Sequence, residues 1–186
     1  HVNYQMQNFE DDVARNLQYN TGNAFVKMYP MHEARSRNIQ PDHLLDMGFT
    51  HFNLGQVYDQ TSSRQVSKKV VVKEIVVKPD SVVKEYATVY ATITTTRRIL
   101  VSEGNYRITI RTADGRWLWN DNIRGDHRWQ TVFSTYTGDA RALSDADQNE
   151  LNNRESHPPR EEEVIREILN DINNDVQNRI RNFYSR

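Results

Sequence analysis

At 186 residues, with 37% apolar and 10% aromatic side chains, the chain is the size of one domain, or one domain with a helical extension, and its core must be lean. Twenty-four Lys and Arg against 25 Asp and Glu leave a net charge of −1, which excludes the positive excess that a general nucleic-acid binder turns toward phosphate. No cysteine is present, so disulfide scaffolds, zinc ribbons and thiol catalysis fall away together.

The missing cysteines tilt the reading toward an exported protein, which gains from avoiding mispaired thiols. No run approaches the roughly 18 apolar residues of a membrane span. The chain begins at His1 rather than Met, as expected of a trimmed or processed chain whose targeting segment lies elsewhere.

Residues 4 to 19 predict an amphipathic helix, with Met6, Phe9, Val13 and Leu17 on one side and Glu10, Asp12 and Arg15 off it. Asn20-Thr21-Gly22-Asn23 stops it, Gly22 being suited to a left-handed cap. Ala24 to Tyr29 reads as a short strand ended by Pro30. From Met31 to Ser63 the pattern is weak. Pro41-Asp42 opens a short helix carrying Leu44, Leu45 and Met47 and closed by Gly48, and Phe49 to Tyr58 reads as an irregular packed connection.

Arg64 to Lys78 holds Val70-Val71-Val72 and Ile75-Val76-Val77, β-branched runs split by Lys73-Glu74, and predicts a long strand partly at a sheet edge. Pro79-Asp80-Ser81 makes a turn. A second strand follows to about Val101, and within it Glu85 to Thr94 keeps strict period two. Ala87, Val89, Ala91 and Ile93 point one way; Tyr86, Thr88, Tyr90, Thr92 and Thr94 point the other. Glu103-Gly104-Asn105 predicts a further turn before the alternating Tyr106, Ile108 and Ile110. Asp114-Gly115 is the strongest hairpin signal; a two-residue turn there pairs Thr112 with Trp117 and Ile110 with Trp119, making both tryptophans core. Asp121 to His127 then reads as a polar loop and Arg128 to Thr137 as a strand with Trp129 and Phe133 on one side.

Gly138-Asp139 ends the sheet, and Ser144 to Asp147 has the form of a capping box. After His157-Pro158-Pro159 a long helix runs from about Arg160 to Tyr184, with Glu161, Glu162 and Glu163 at its positive end. Val164, Ile165, Ile168, Leu169, Ile172, Val176, Ile180 and Phe183 form its apolar stripe, which is expected to dock on the sheet.

Chemistry-bearing patterns are sparse. His32, His43 and His51, with Glu33 and Asp46 nearby, lack metal-ligand spacing, so no metal and no cofactor is expected. No Gly-x-Ser-x-Gly elbow and no phosphate-binding glycine loop occurs. A carboxylate pair is set by distance in the fold, so sequence spacing leaves a glycosidase-type pair open. Tyr86 and Tyr90, opposite the apolar face, are the exposed aromatic pair. Arg97-Arg98, with Arg107 and Arg111, form a basic cluster read as a solvated sheet face that could meet an anionic partner.

Taken in order, Val89 to Ile93, Arg107 to Ile110, Gly115 to Trp119, Trp129 and Gly138 to Ser144 make a pattern that resembles the C-terminal β-rich region of uncharacterised cell-envelope lipoproteins of the Bacteroidetes group. The resemblance covers about residues 85 to 184 and is most specific from Trp129 to Leu143. It rests on structural residues and brings no catalytic residue with it. It implies an exported protein attached to the outer membrane, periplasmic or outer-membrane associated, through a lipidated cysteine outside these residues.

The expected fold is α+β: an antiparallel meander of four to five strands packed against N- and C-terminal amphipathic helices. Three successive blocks make one domain: 1–63, a helix and packed connection; 64–143, the sheet; 144–186, C-terminal helices. The expected role is non-catalytic, binding another envelope protein or supporting an assembly, with Tyr86, Tyr90, Arg97 and Arg98 as partner-binding residues. No nucleic acid is expected, and a membrane only through the outside anchor. The alternatives are a glycan-binding module and a hydrolase acting on glycan or peptide.

Overall fold

A computed structural model describes residues 2–19, 21–78 and 81–185. Its elements are α1 (Val2–Tyr19), α2 (Met31–Ser36), β1 (His43–Asn53), β2 (Tyr58–Lys78), β3 (Ser81–Thr112), β4 (Trp117–Gly138), a 3-10 turn (Ala140–Ala142), α3 (Asp145–Leu151) and α4 (Glu161–Tyr184). The fold is α+β, with an antiparallel sheet of four strands among the described residues.

The strands do not follow one another as a simple meander. β1, β2 and β4 all pair with β3, which is 32 residues long. β1 takes Glu103 to Thr112 and β2 takes Ser81 to Ile99. The chain divides into two compact units, one from residues 1–56, 101–128 and 159–186, the other from 57–100 and 129–158. Neither unit coincides with one of the three consecutive blocks read from the sequence.

The first unit buries Phe9, Val13 and Leu17 of α1, Tyr106, Ile108 and Ile110 of β3, Ile123 of β4, and six aliphatic side chains of α4 from Val164 to Ile180. The rings of Phe9 and Tyr106 meet edge to face at 5.6 Å, and Phe49 lies 4.8 Å from Tyr106. The second unit has a smaller core of Ala91, Ile93, Ala142 and Leu143, with Val66, Val89 and Leu151 packed against it. Of the period-two face, Ala91 and Ile93 are buried and Ala87 and Val89 half-buried, while Tyr86 and Tyr90 stay out. It is not one apolar face shared with Ile108 and Ile110. The buried residues of β3 are odd-numbered from Ala91 to Ile99 and, from Leu100 on, even-numbered, with Thr109 the odd-numbered exception, so each unit has its own set.

Five local expectations are corrected. Ala24 to Tyr29 forms no strand, and a short helix, α2, occupies Met31–Ser36. The expected helix after Pro41 is β1, in which Leu45, Met47 and Phe49 stand opposite Ile110, Ile108 and Tyr106. Those three apolar residues do keep period two, but Leu44 beside them and the shift between Phe49 and His51 blur it. Glu103-Gly104-Asn105 is not a turn. Gly104 is needed because a Cβ there would lie 2.9 Å from the Phe52 ring. Likewise Asp121 to His127 is strand, and Gly125 admits α4: a Cβ on it would stand 2.8 Å from the Ile168 carbonyl oxygen. The expected turn at Pro79-Asp80 lies outside the described residues.

The fifth correction is the hairpin register. Gly115 N–H donates to the Thr112 carbonyl at 2.9 Å, Thr112 N–H to the Arg116 carbonyl at 2.9 Å, and Gly115 has φ +91°. This is a three-residue loop with a left-handed glycine, so Thr112 faces Arg116 rather than Trp117. Trp117, at the start of β4, is 66% exposed, and Trp119, two residues on and on the same face, is half-buried, stacked on Phe183 at 5.7 Å. Elsewhere local chemistry reads true. Ser144 and Asp147 form the capping box of α3, and Arg160 N–H donates to Glu163 at the start of α4.

Two outcomes test this packing. Ile172→Ala, which empties a fully buried site, should lower unfolding free energy by about 2–5 kcal/mol in urea titration. Trp117→Ala should change it by no more than about 0.5 kcal/mol, the value typical of an exposed position; a loss several times larger would restore the two-residue turn.

Candidate partner-binding surface

β2 pairs with β3 without interruption from Tyr58 opposite Ile99 to Val71 opposite Tyr86. Val72 is then an extra residue, after which Lys73 faces Glu85, Glu74 faces Lys84, Ile75 faces Val83 and Val76 faces Val82. β4 runs beside β3 between two fixed points, Thr112 bonded to Arg116 and the Tyr90 carbonyl bonded to Asp139 N–H at 2.9 Å. Residues 82–89 of β3 therefore lie beyond the end of β4. Among the described residues their strand partner is β2 alone, so the two strands leave the sheet as a ribbon roughly 30 Å long at about 3.4 Å per residue.

The ribbon is banded. On the face of Tyr86 and Tyr90, the rungs toward the tip are Val71 with Tyr86, Glu74 with Lys84, and Val76 with Val82. Lys84 Nζ stands 3.2 Å from Glu74 Oε1. The other face repeats the scheme with Val70 and Ala87, Lys73 and Glu85, and Ile75 and Val83. Tyr86 is 60% exposed, Tyr90 55% and Val76 69%; Val71, Val72, Ile75, Val82 and Val83 are exposed as well. A two-stranded ribbon is marginally stable in water, and contiguous exposed aliphatic surface marks an interaction site on a soluble chain. The valines were the part of this surface that sequence reading passed over. Their signal was present in the unalternating Val-Val-Val and Ile-Val-Val runs, which cannot bury both faces in a ribbon.

Of the four residues expected to bind a partner, Tyr86 and Tyr90 share this open face. Arg98 has their parity along β3, but its guanidinium is engaged: Nε and Nη2 donate to the two oxygens of Asp59 at 2.7 and 2.8 Å, Glu155 binds it too, and it lies 5.4 Å over the Phe133 ring. Its hydrogen bonds pull the Asp59 carboxyl below its usual range. Arg97 is exposed opposite Gln60 and points to the other face. In the first unit Arg111 pairs with Asp46 at 3.0 Å. The tyrosines are therefore brought together, and the arginines are not.

Other features weigh less. In the first unit an open groove of about 380 Å³ is lined by Trp117, Leu118, Trp119 and Asn120. His43 stacks on Tyr184 at 5.9 Å, and His51 lies 3.8 Å from Glu103. Among the described residues no three His, Asp or Glu side chains converge as metal ligands, and no helix is long and apolar enough to cross a membrane.

Two carboxylates also converge in the second unit, beside α3. Glu150 Oε1 accepts from Ser134 Oγ and Thr95 Oγ1, each at 2.7 Å, while its other oxygen takes Arg64 Nη2 at 2.6 Å. Arg64 also reaches Asp147 at 2.7 Å, and Asp147 accepts from Ser144 Oγ at 2.7 Å. Donors from Ser134 and Thr95, then Arg64, hold Glu150 down at about 2; those of Ser144, then Arg64, hold Asp147 at about 2. General acids and bases need pKa values raised toward neutrality, so these shifts run the wrong way for proton transfer. The cluster ties α3 to three strands. No protein-family model, curated protein or solved structure matches the chain.

The same cluster sets an acid limit. A carboxylate whose pKa is lowered by folding stabilises the chain above its unfolded value, near 4, and that contribution is lost as pH falls toward about 2. Between those values the thermal midpoint should drop steeply. Glu150→Gln should lower the midpoint at neutral pH and flatten that drop; an unchanged acid limb in the variant would place the acid sensitivity elsewhere.

Proposed function

We propose that this chain is a non-catalytic cell-envelope domain that binds another protein or supports an assembly through the β2–β3 ribbon. The observation that carries the reading is the ribbon itself: aliphatic and tyrosine side chains exposed beyond the last strand that pairs with β3. A free-standing ribbon rich in valine offers a contact surface at low ordering cost, because its backbone is already paired. The ion-pair rungs keep that surface from being purely apolar. The terminal helices, in this reading, cover the sheet of the first unit. The envelope location, and a lipid anchor outside these residues, rest on the resemblance to Bacteroidetes envelope lipoproteins alone.

A second reading has one observation in its favour. Trp117, exposed beside the groove of Trp117 to Asn120, has the character of a sugar-stacking platform, which makes a glycan-binding module the runner-up. The hydrolase alternative gains nothing from the depressed carboxylates of the Glu150 cluster.

Cross-linking and affinity capture from the native envelope, with the wild-type chain and the double variant Tyr86→Ser, Tyr90→Ser, tests the first reading. Both positions are exposed, so stability should stay within about 0.5 kcal/mol per site while a specifically retained protein disappears. Retention unchanged in the double variant, together with glycan binding lost on Trp117→Ala, would move the function to the groove.

A further inference from the structure

We infer that the partner of the ribbon's Tyr86 face is a second copy of this chain, stacked face to face about a two-fold axis parallel to the ribbon. The inference rests on the ribbon being the protein-binding surface, and the banding supplies the rest. Glu74 and Lys84 are opposite one another on neighbouring strands, as are Val76 and Val82, and Val71 and Tyr86. A two-fold axis along the strands keeps every rung at its own level and lays β2 of one copy over β3 of the other. Glu74 then meets the partner copy's lysine at position 84, Val76 meets valine 82, and Val71 meets tyrosine 86. The contact is isologous, so each pairing occurs twice.

Charge chooses this axis over its alternative. A two-fold axis across the ribbon, centred on the charged rung, reverses the strands and sets Glu74 on Glu74 and Lys84 on Lys84. Like charges brought together are costly, and they act as a filter against the wrong geometry. Centred one rung lower, on Val71 and Tyr86, it lays Glu74 over Lys69 but leaves Lys84 over Thr88 and Val76 over Ser67. Only the axis along the ribbon puts acid on base and apolar on apolar at all three outer rungs. Toward the base the same axis lays Lys69 over Thr88 and Ser67 over Tyr90, polar contacts suited to a rim. Sheets stacked in this way lie about 10 Å apart, a spacing that valine and tyrosine side chains fill.

The absence of cysteine makes the geometry directly testable. Sedimentation of the full chain over a wide concentration range should show a monomer–dimer equilibrium. Glu74→Lys should weaken it roughly tenfold or more, and the double swap Glu74→Lys, Lys84→Glu should restore it. Because both positions are exposed, circular dichroism of all three proteins should coincide. A mixture of Val76→Cys and Val82→Cys chains, treated with a short bifunctional thiol-reactive linker that spans the roughly 10 Å between stacked sheets, should give a dimer in which the two variants are joined to each other. Efficient cross-linking of Val76→Cys to itself, or a dimer indifferent to Glu74→Lys, would overturn the arrangement. So would a chain that is monomeric throughout. If such a monomer still captures a different envelope protein through Tyr86 and Tyr90, only the self-pairing fails; if capture ignores the ribbon too, the protein-binding reading fails with it.

Discussion

Backbone pairing on β3 is the constraint from which the rest follows. A strand of 32 residues exposes a long double row of amide and carbonyl groups, and each unpaired buried group is costly. β1, β2 and β4 meet that demand over different stretches, and where they start and stop decides what each part of β3 can do. Over 103–112 it has β1 and the returning β4, and its even-numbered side chains are sealed into the first unit. Over 91–99 it has β2 and β4, and Ala91 and Ile93 enter the second core. Past Tyr90 it has β2 alone among the described strands, and from Val82 to Tyr86 its side chains are exposed on both faces.

Glycines and caps fix these limits. Gly104 and Gly125 let Phe52 and α4 come closer to the sheet than any Cβ would permit, so the strands run straight through positions where a glycine would otherwise suggest a turn. Gly115 takes a left-handed conformation and closes the hairpin one residue earlier than the shortest loop would. At the other end of β4, Gly138 has φ +104° and a Cβ on it would stand 2.6 Å from the Tyr90 carbonyl oxygen, and the strand ends there, where the ribbon begins. The Arg64, Asp147 and Glu150 cluster then ties α3 to the second unit's strands.

Much of this was legible where one local rule acts alone. The alternation from Tyr86 to Ile93, the Ser144 capping box and the stripe of α4 all depend on neighbours within a few residues, and all appear as read. The failures share a cause. At Gly104, Gly125 and Leu44 to Gly48, the residue type satisfies a distant packing partner, and propensity within a short window points to a turn, a loop or a helix instead. At Asp114-Gly115 the turn is where the sequence puts it, but the loop is one residue longer, and Trp117 at the start of β4 is exposed while Trp119 on the same face reaches Phe183. For the surface, Tyr86 and Tyr90 followed from parity. The fate of Arg98 depended on Asp59 and Glu155, 39 and 57 residues away, which no spacing reveals.

Amide hydrogen exchange of the dilute chain, resolved along β3, measures the central claim most directly. The account predicts slow exchange from Gly104 to Ile110, straight through the position of the supposed turn. It predicts faster exchange from Val82 to Val89, where alternate amides have no strand on their outer side. Rapid exchange at Gly104 and Asn105, or protection from Val82 to Val89 as strong as in the centre of the strand, would contradict a β3 that is continuous in the middle and half-paired at its end.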